Sequence, residues 1–143
     1  MRDTRQAMSE KNLEIVRRAI KAFNGEDLDQ ALEWADPDIE WVVAREHPDA
    51  ATHRGRDAVA AYLREWQDTL EDLRLEMARV VEVGDTVVTV GKMCGVGAGS
   101  GAAVEIPIAF VSYVREGRTV RVEEYLNQAH ALRAVGLSQM DDV

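Results

Sequence analysis

Residues 118–126 alternate strictly, with Val120, Val122, Glu124 and Leu126 on one face and Thr119, Arg121, Glu123 and Tyr125 on the other. One carboxylate therefore stands in an apolar row. If that row faces the interior, loss of hydration penalises the ionised form. The Glu124 pKa then rises, leaving a carboxyl suited to general acid or base work. Two structural arrangements satisfy the same pattern: Glu124 pairs with a buried Arg or Tyr, or it sits at a contact between two copies of the chain. A bulge in the strand would instead reverse the faces and turn Glu123 inward.

Aromatic residues gather around this acid. Trp41, Tyr62 and Trp66 fall on the inward faces of a strand and a long helix. Met93 and Tyr113 are expected to reach the same cavity from neighbouring strands, beside Val122 in the acid's own row. Rings around a lone acid suit a flat apolar ligand, although the same spacing also serves a plain core. His53 is placed at the pocket mouth. His47 and His53, with Glu46 and Asp49, have the chemistry of metal ligands but match no ligand spacing, so a solvated loop is expected, with neither metal nor cofactor. Cys94 has no neighbouring base and reads as a buried, inert thiol. In the stretch Gly95 to Gly101 the glycines fall every second residue and join two strands. That makes a hairpin loop rather than a phosphate cradle, and Ser100 lacks a nucleophile-elbow setting.

The elements that must hold these residues follow from periodicity. Leu13, Val16, Ile20 and Phe23 form the stripe of an amphipathic helix that Asn24-Gly25 stops. Asp27 and Gln30 open a second short helix as a capping box, with Leu28, Ala31, Leu32 and Ala35 inward, ended by Asp36-Pro37. Ile39, Trp41 and Val43 predict a strand, Arg45 to Gly55 a loop, and Arg56 to Glu71 the longest helical pattern, with Val59, Tyr62, Leu63, Trp66 and Leu70 on one face. Four strands follow, Arg74–Val83, Thr86–Val96, Val104–Arg115 and Arg118–Leu126, as an antiparallel meander. Asn127 caps a last helix that stops at Gly136, before a tail, Ser138 to Val143, where fraying is expected. The fold class is thus α+β. In Val104–Arg115 both faces are apolar, and Pro107, Ala109 and Val111 predict an outer face covered by a second copy in a homodimer, the alternative cover being a helix or tail of the same chain.

Composition agrees with one soluble domain. The chain has 143 residues, 46% apolar and 30% charged, enough to bury roughly 68–70% of the unfolded surface. A net charge of −9 disfavours nucleic acid and anionic membrane surfaces. One cysteine rules out an internal disulfide, and Met1 to Lys11 lacks an apolar leader core. A cytoplasmic protein is expected.

Ala35-Asp36-Pro37-Asp38-Ile39-Glu40-Trp41, Arg54-Gly55-Arg56-Asp57-Ala58-Val59, the strand Arg118 to Tyr125, and Ala131-Leu132-Arg133-Ala134-Val135-Gly136-Leu137, in that order, resemble the SnoaL-like branch of the nuclear transport factor 2-like superfamily. The likeness runs from about Asn12 to Leu137. It implies a cone-shaped roll, with a curved sheet wrapped around the long helix, a deep apolar pocket and frequent dimerisation. It also implies that Glu124, in Glu124-Tyr125-Leu126-Asn127, takes the place of a catalytic aspartate, while Asn127 replaces a later acid. The ketosteroid-isomerase machinery falls at Trp41 or Val42, Ala19 and Ala109, which cannot perform it. The acid of epoxide hydrolases falls near Gly91 to Cys94, and the cyclase histidine near Phe110. Steroid isomerisation and limonene-type epoxide hydrolysis are both disfavoured. The expectation is a cofactor-independent lyase, isomerase or hydrolase acting on a small apolar cyclic or polyketide-like molecule; the alternative is a non-catalytic dimeric binding or interaction module.

Overall fold

The computed structural model describes residues 4–48 and 50–137, so Asp49 and the tail expected to fray lie outside it. The elements are α1 (Thr4–Asn24), α2 (Leu28–Ala31), β1 (Ala35–Val42), β2 (Thr52–Arg54), α3 (Arg56–Thr69), β3 (Leu70–Val83), β4 (Thr86–Gly97), β5 (Ala103–Arg115), β6 (Arg118–Tyr125) and α4 (Gln128–Ala134). β3 to β6 make the antiparallel meander that the period-two pattern predicts. β1 joins it parallel to β6, and β2 pairs antiparallel with β1, giving the order β2-β1-β6-β5-β4-β3. The curved sheet is therefore mixed rather than wholly antiparallel. No helix among the described residues is long and apolar enough to cross a membrane.

Several boundaries differ from expectation for local reasons. α2 stops at Ala31, and Ala35 opens β1 with Asp36-Pro37 inside the strand; the extended backbone that proline imposes on its predecessor serves a strand as well as a helix end. The β1–β6 register slips between Ala35 and Glu40, around Pro37, which has no N–H to give the ladder. The Arg45–Gly55 loop contains β2, whose His53 pairs with Trp41. Leu70 opens β3 instead of closing α3, and α1, with 21 residues, is the longest helix. Asp27 accepts from the Gln30 N–H at 3.0 Å, but its own N–H bonds the Ala22 carbonyl, so only half of the capping box forms. The left-handed residue after α1 is Glu26, not Gly25. Asn24 instead clamps α1 to the sheet, its amide exchanging two hydrogen bonds with the Leu75 backbone at 2.8 and 3.0 Å.

α1 and α3 cover the inner face. There Val59, Ile39, Leu63, Phe23, Ile108 and Phe110 form the main core, each contributing roughly 1.5–3 kcal/mol by leaving water. On the outer face Ala131 and Leu132 of α4 pack on Val88, Val90, Ala109 and Val111. The apolar outer row is therefore covered at Ala109 and Val111 by the chain's own last helix, the alternative to a second copy, while Pro107 stays exposed.

Gly91 is the most crowded of the glycines. It lies where the β3–β4 register slips between Met77 and Arg79, and a Cβ there would meet the Glu76 carbonyl oxygen at 2.1 Å and Met77 Cα at 2.7 Å. Both obstacles are backbone, so Gly91→Ala should destabilise the protein by about 3 kcal/mol. Urea denaturation measures this, and a loss below about 1 kcal/mol would mean that β3 moves aside freely.

Candidate functional site

The site is built from two cross-strand rows on the inner face. In one, Thr89 of β4 pairs with Phe110 of β5, which pairs with Glu124 of β6. In the next, Val87, Ser112 and Val122 line up, and the parallel pairing of Val122 with Trp41 carries the row into β1. A bulge does occur in β6. Tyr113 pairs with Arg121 but Val114 pairs with Thr119, leaving Val120 as the extra residue. Because the bulge precedes Arg121, it turns Thr119 towards the cavity and leaves Glu124 inward and Glu123 outward.

Between this face and α1, α2 and α3 lies a cavity of about 100 Å³ with almost wholly apolar walls. Glu124, Trp41, Trp66 and Val122 line it. Trp34 lies at its rim, lining the cavity while 42% exposed. Glu124 is 4% exposed. Its Oε2 accepts from Trp41 Nε1 at 2.6 Å and from the Tyr62 hydroxyl at 2.7 Å, whereas Oε1 has only the longer Tyr62 contact of 3.0 Å. Oε1 is thus the less saturated of the two oxygens.

The electrostatics follow from this geometry. Burial pushes the Glu124 pKa up to about 7, against the opposing pull of the Trp41 and Tyr62 hydrogen bonds, which favour the ionised form. Both donors are neutral, so no full positive charge offsets the desolvation. Burial, and then the Glu124 charge, raise the Tyr62 pKa far above the usual phenol range. Tyr62 therefore stays protonated and remains a donor. Its ring is held between Trp66, edge-on at 5.8 Å, and His53, stacked at 4.6 Å.

The expected residues divide accordingly. Tyr62 binds the carboxylate without lining the cavity, and His53, also outside the cavity lining, stacks on Tyr62 and pairs with Trp41 in the β1–β2 ladder. Met93 is 5% exposed and packs in the main core, beyond the cavity wall. Tyr113 does not reach the cavity. Pairing opposite Arg121, it lies on the outer face, where its hydroxyl donates to Glu123 at 3.2 Å beside Tyr125 and Arg121. Parity alone excludes it, since Phe110 and Ser112 are the inward neighbours. Trp34, Phe110, Thr89 and Ser112 line the cavity and were missed. A polar residue interrupting an apolar row, the signal that marks Glu124, also marks Thr89 and Ser112. Cys94 is buried, but it does have a neighbouring base: burial and then a hydrogen bond to the Glu76 carboxylate both raise its thiol pKa, which keeps the thiol protonated. Among the described residues no three His, Cys, Asp or Glu side chains converge as metal ligands.

The profile of the SnoaL-like domain family matches residues 16–122. Solved structures share the fold. A nuclear transport factor 2-like protein of unknown function from Burkholderia pseudomallei K96243 is 24% identical, with a TM-score of 0.73 over 88% of this chain and 98% of its own. A hypothetical protein with a ketosteroid isomerase-like fold from Catenulispora acidiphila DSM 44928, solved with trimethylamine, is 20% identical, with a TM-score of 0.71 over 87% and 93%. A protein assigned as a SnoaL-like polyketide cyclase from Jannaschia sp. CCS1 is 17% identical, with a TM-score of 0.74 over 94% and 95%. No curated protein matches the sequence significantly.

The raised carboxyl has a consequence for stability. Below the unfolded pKa of about 4.3 both states hold the proton, and as pH rises towards the folded value only the native state keeps it. Stability attributable to Glu124 is therefore lost as pH rises through about 7. Glu124→Gln cannot titrate, so from about pH 4 to about pH 8.5 the wild type should lose about 3 kcal/mol relative to the variant. Paired urea melts at the two pH values measure the difference, and parallel profiles would show an ordinary solvated acid.

Proposed function

The chain belongs to the SnoaL-like domain family, and from that premise we propose a small-molecule pocket protein that acts, without a cofactor, as a lyase, isomerase or hydrolase on an apolar cyclic or polyketide-like substrate. The observation that carries the reading is Glu124: a carboxyl buried against aromatic walls, hydrogen-bonded only by neutral donors, and brought to a pKa near neutrality. Near neutral pH such a group is available in both forms, which is where general acid–base transfer is most effective. Ionised, Oε1 accepts a proton from the substrate. Protonated, it returns the proton to a developing oxyanion or leaving group. Trp41 and Tyr62 fix the carboxyl through Oε2 and hold part of its charge, while the apolar walls exclude water that would compete for the proton.

A second reading, a binding module without turnover, is favoured by one observation. Glu124 is the sole titratable side chain lining the cavity among the described residues, so no second acid or base is at hand for a two-proton reaction. Self-association over the part of the outer face that α4 leaves open, around Pro107, belongs to the proposal as well. Sedimentation velocity that finds only monomer at every concentration removes this component without touching the pocket.

Turnover on a panel of cyclic ketones and epoxides separates the two readings. Glu124→Gln should retain ligand affinity and lose about 100-fold or more in kcat; unchanged turnover removes Glu124 from the mechanism. Tyr62→Phe deletes a donor to the carboxylate, so it should move the midpoint of the kcat/KM pH profile upwards from about 7. A midpoint unmoved in Tyr62→Phe would assign the titration to another group.

A further inference from the structure

Among the described residues two buried side-chain atoms have no hydrogen-bond partner, Gln67 Nε2 and Thr89 Oγ1. Thr89 alone of the two lines the cavity, and it is 0% exposed. A hydroxyl held out of water without a partner costs free energy that a valine of the same shape would not. Thr89 also has a defined position relative to the acid. It pairs with Phe110 and Phe110 pairs with Glu124, so the two polar residues stand two strand spacings apart, about 10 Å at the backbone. The Phe110 ring lies between them. Ser112 belongs to the neighbouring row, diagonal to both, and its hydroxyl-bearing side chain also lines the cavity.

We propose that Thr89, supported by Ser112, is a second polar anchor that holds a hydroxyl or carbonyl oxygen of the ligand across the ring from Glu124. The ligand class is then a single, largely apolar ring bearing oxygens on opposite edges. One end meets the acid, the other meets Thr89, and the ring face rests over Phe110. The cavity of about 100 Å³ allows no more than one ring, being smaller than the enclosed apolar cavity of about 150 Å³ that takes up benzene. Thr89 determines specificity in this arrangement and moves no proton. The inference rests on the pocket reading above.

The test uses phenol and 1,4-dihydroxybenzene under argon, which share a ring and one hydroxyl and differ only in the oxygen at the far edge. Binding is read from tryptophan emission, to which Trp34, Trp41 and Trp66 of the cavity all contribute, in the wild type, Thr89→Val and Thr89→Ser. The wild type should prefer the diol by about 5- to 10-fold, the worth of one hydrogen bond. Thr89→Val should bring that ratio to about one with phenol affinity unchanged, and Thr89→Ser should restore it. Without ligand, Thr89→Val should melt about 2–4 °C higher than the wild type because it relieves an orphaned hydroxyl. A wild type that binds both probes equally, or a valine variant that keeps the preference, overturns the anchor and leaves the pocket standing. A valine variant that melts lower or at the same temperature shows that the hydroxyl is satisfied within the protein and overturns it too. Binding of neither probe overturns the anchor and the pocket reading together.

Discussion

The site depends on one electrostatic constraint, a carboxylate taken out of water without a counter-ion. Full compensation by an arginine or lysine would hold Glu124 well below neutrality and make it a structural ion pair. Exposure would return it to the ordinary carboxylate range. The two neutral donors, Trp41 Nε1 and the Tyr62 hydroxyl, stabilise the charge only in part, and burial dominates. Much of the surrounding architecture maintains that balance. α3 carries Tyr62 to the carboxylate and holds it between the edge-on Trp66 and the stacked His53, β1 brings Trp41 alongside Val122, and the Asn24 clamp seats α1 over the inner face.

The two sides of the sheet treat adjacent glutamates in opposite ways. Glu123 accepts from Arg121, Tyr113 and Tyr125 on the outer face, and Arg121 also reaches Glu40, which binds Arg54. Burial and Glu123 together push the Tyr125 pKa up to about 12. That network consumes its charges in mutual pairing and ties β1, β2, β5 and β6 together at their surfaces. Glu124, one residue on, meets no cation. A period of two thus assigns a structural acid to one face and a poised one to the other, with no change in residue type.

Much of this was legible in the sequence because strand parity is a strong constraint. The inward position of Glu124, Trp41 and Val122, the meander and its hairpins, and the Asn127 cap all follow from alternation and turn chemistry. Residues failed where local pattern leaves a tie that tertiary pairing breaks. Tyr113 was assigned by proximity when parity placed it outside. Ala35 fits the inner stripe of a short helix and the first position of a strand equally well, and pairing with Thr119 decides for the strand. The cover that α4 gives to Ala109 and Val111 depends on where the chain turns after Leu126, which no periodicity records. Fold likeness at 17–24% identity speaks for the scaffold, while the chemistry must be argued from the residues inside it.

The extra residue Val120 also changes how the chain tolerates length variation. It sits between the Glu116-Gly117 hairpin and the stretch from Arg121 to Tyr125 that pairs in unbroken register with β5. A residue gained or lost at the hairpin can be absorbed by enlarging or erasing the bulge, before the slip reaches the acid. The turn end of β6 is thereby free to drift in sequence and length over evolutionary time, while the orientation of the carboxyl, which a one-residue slip would invert, is insulated from that drift.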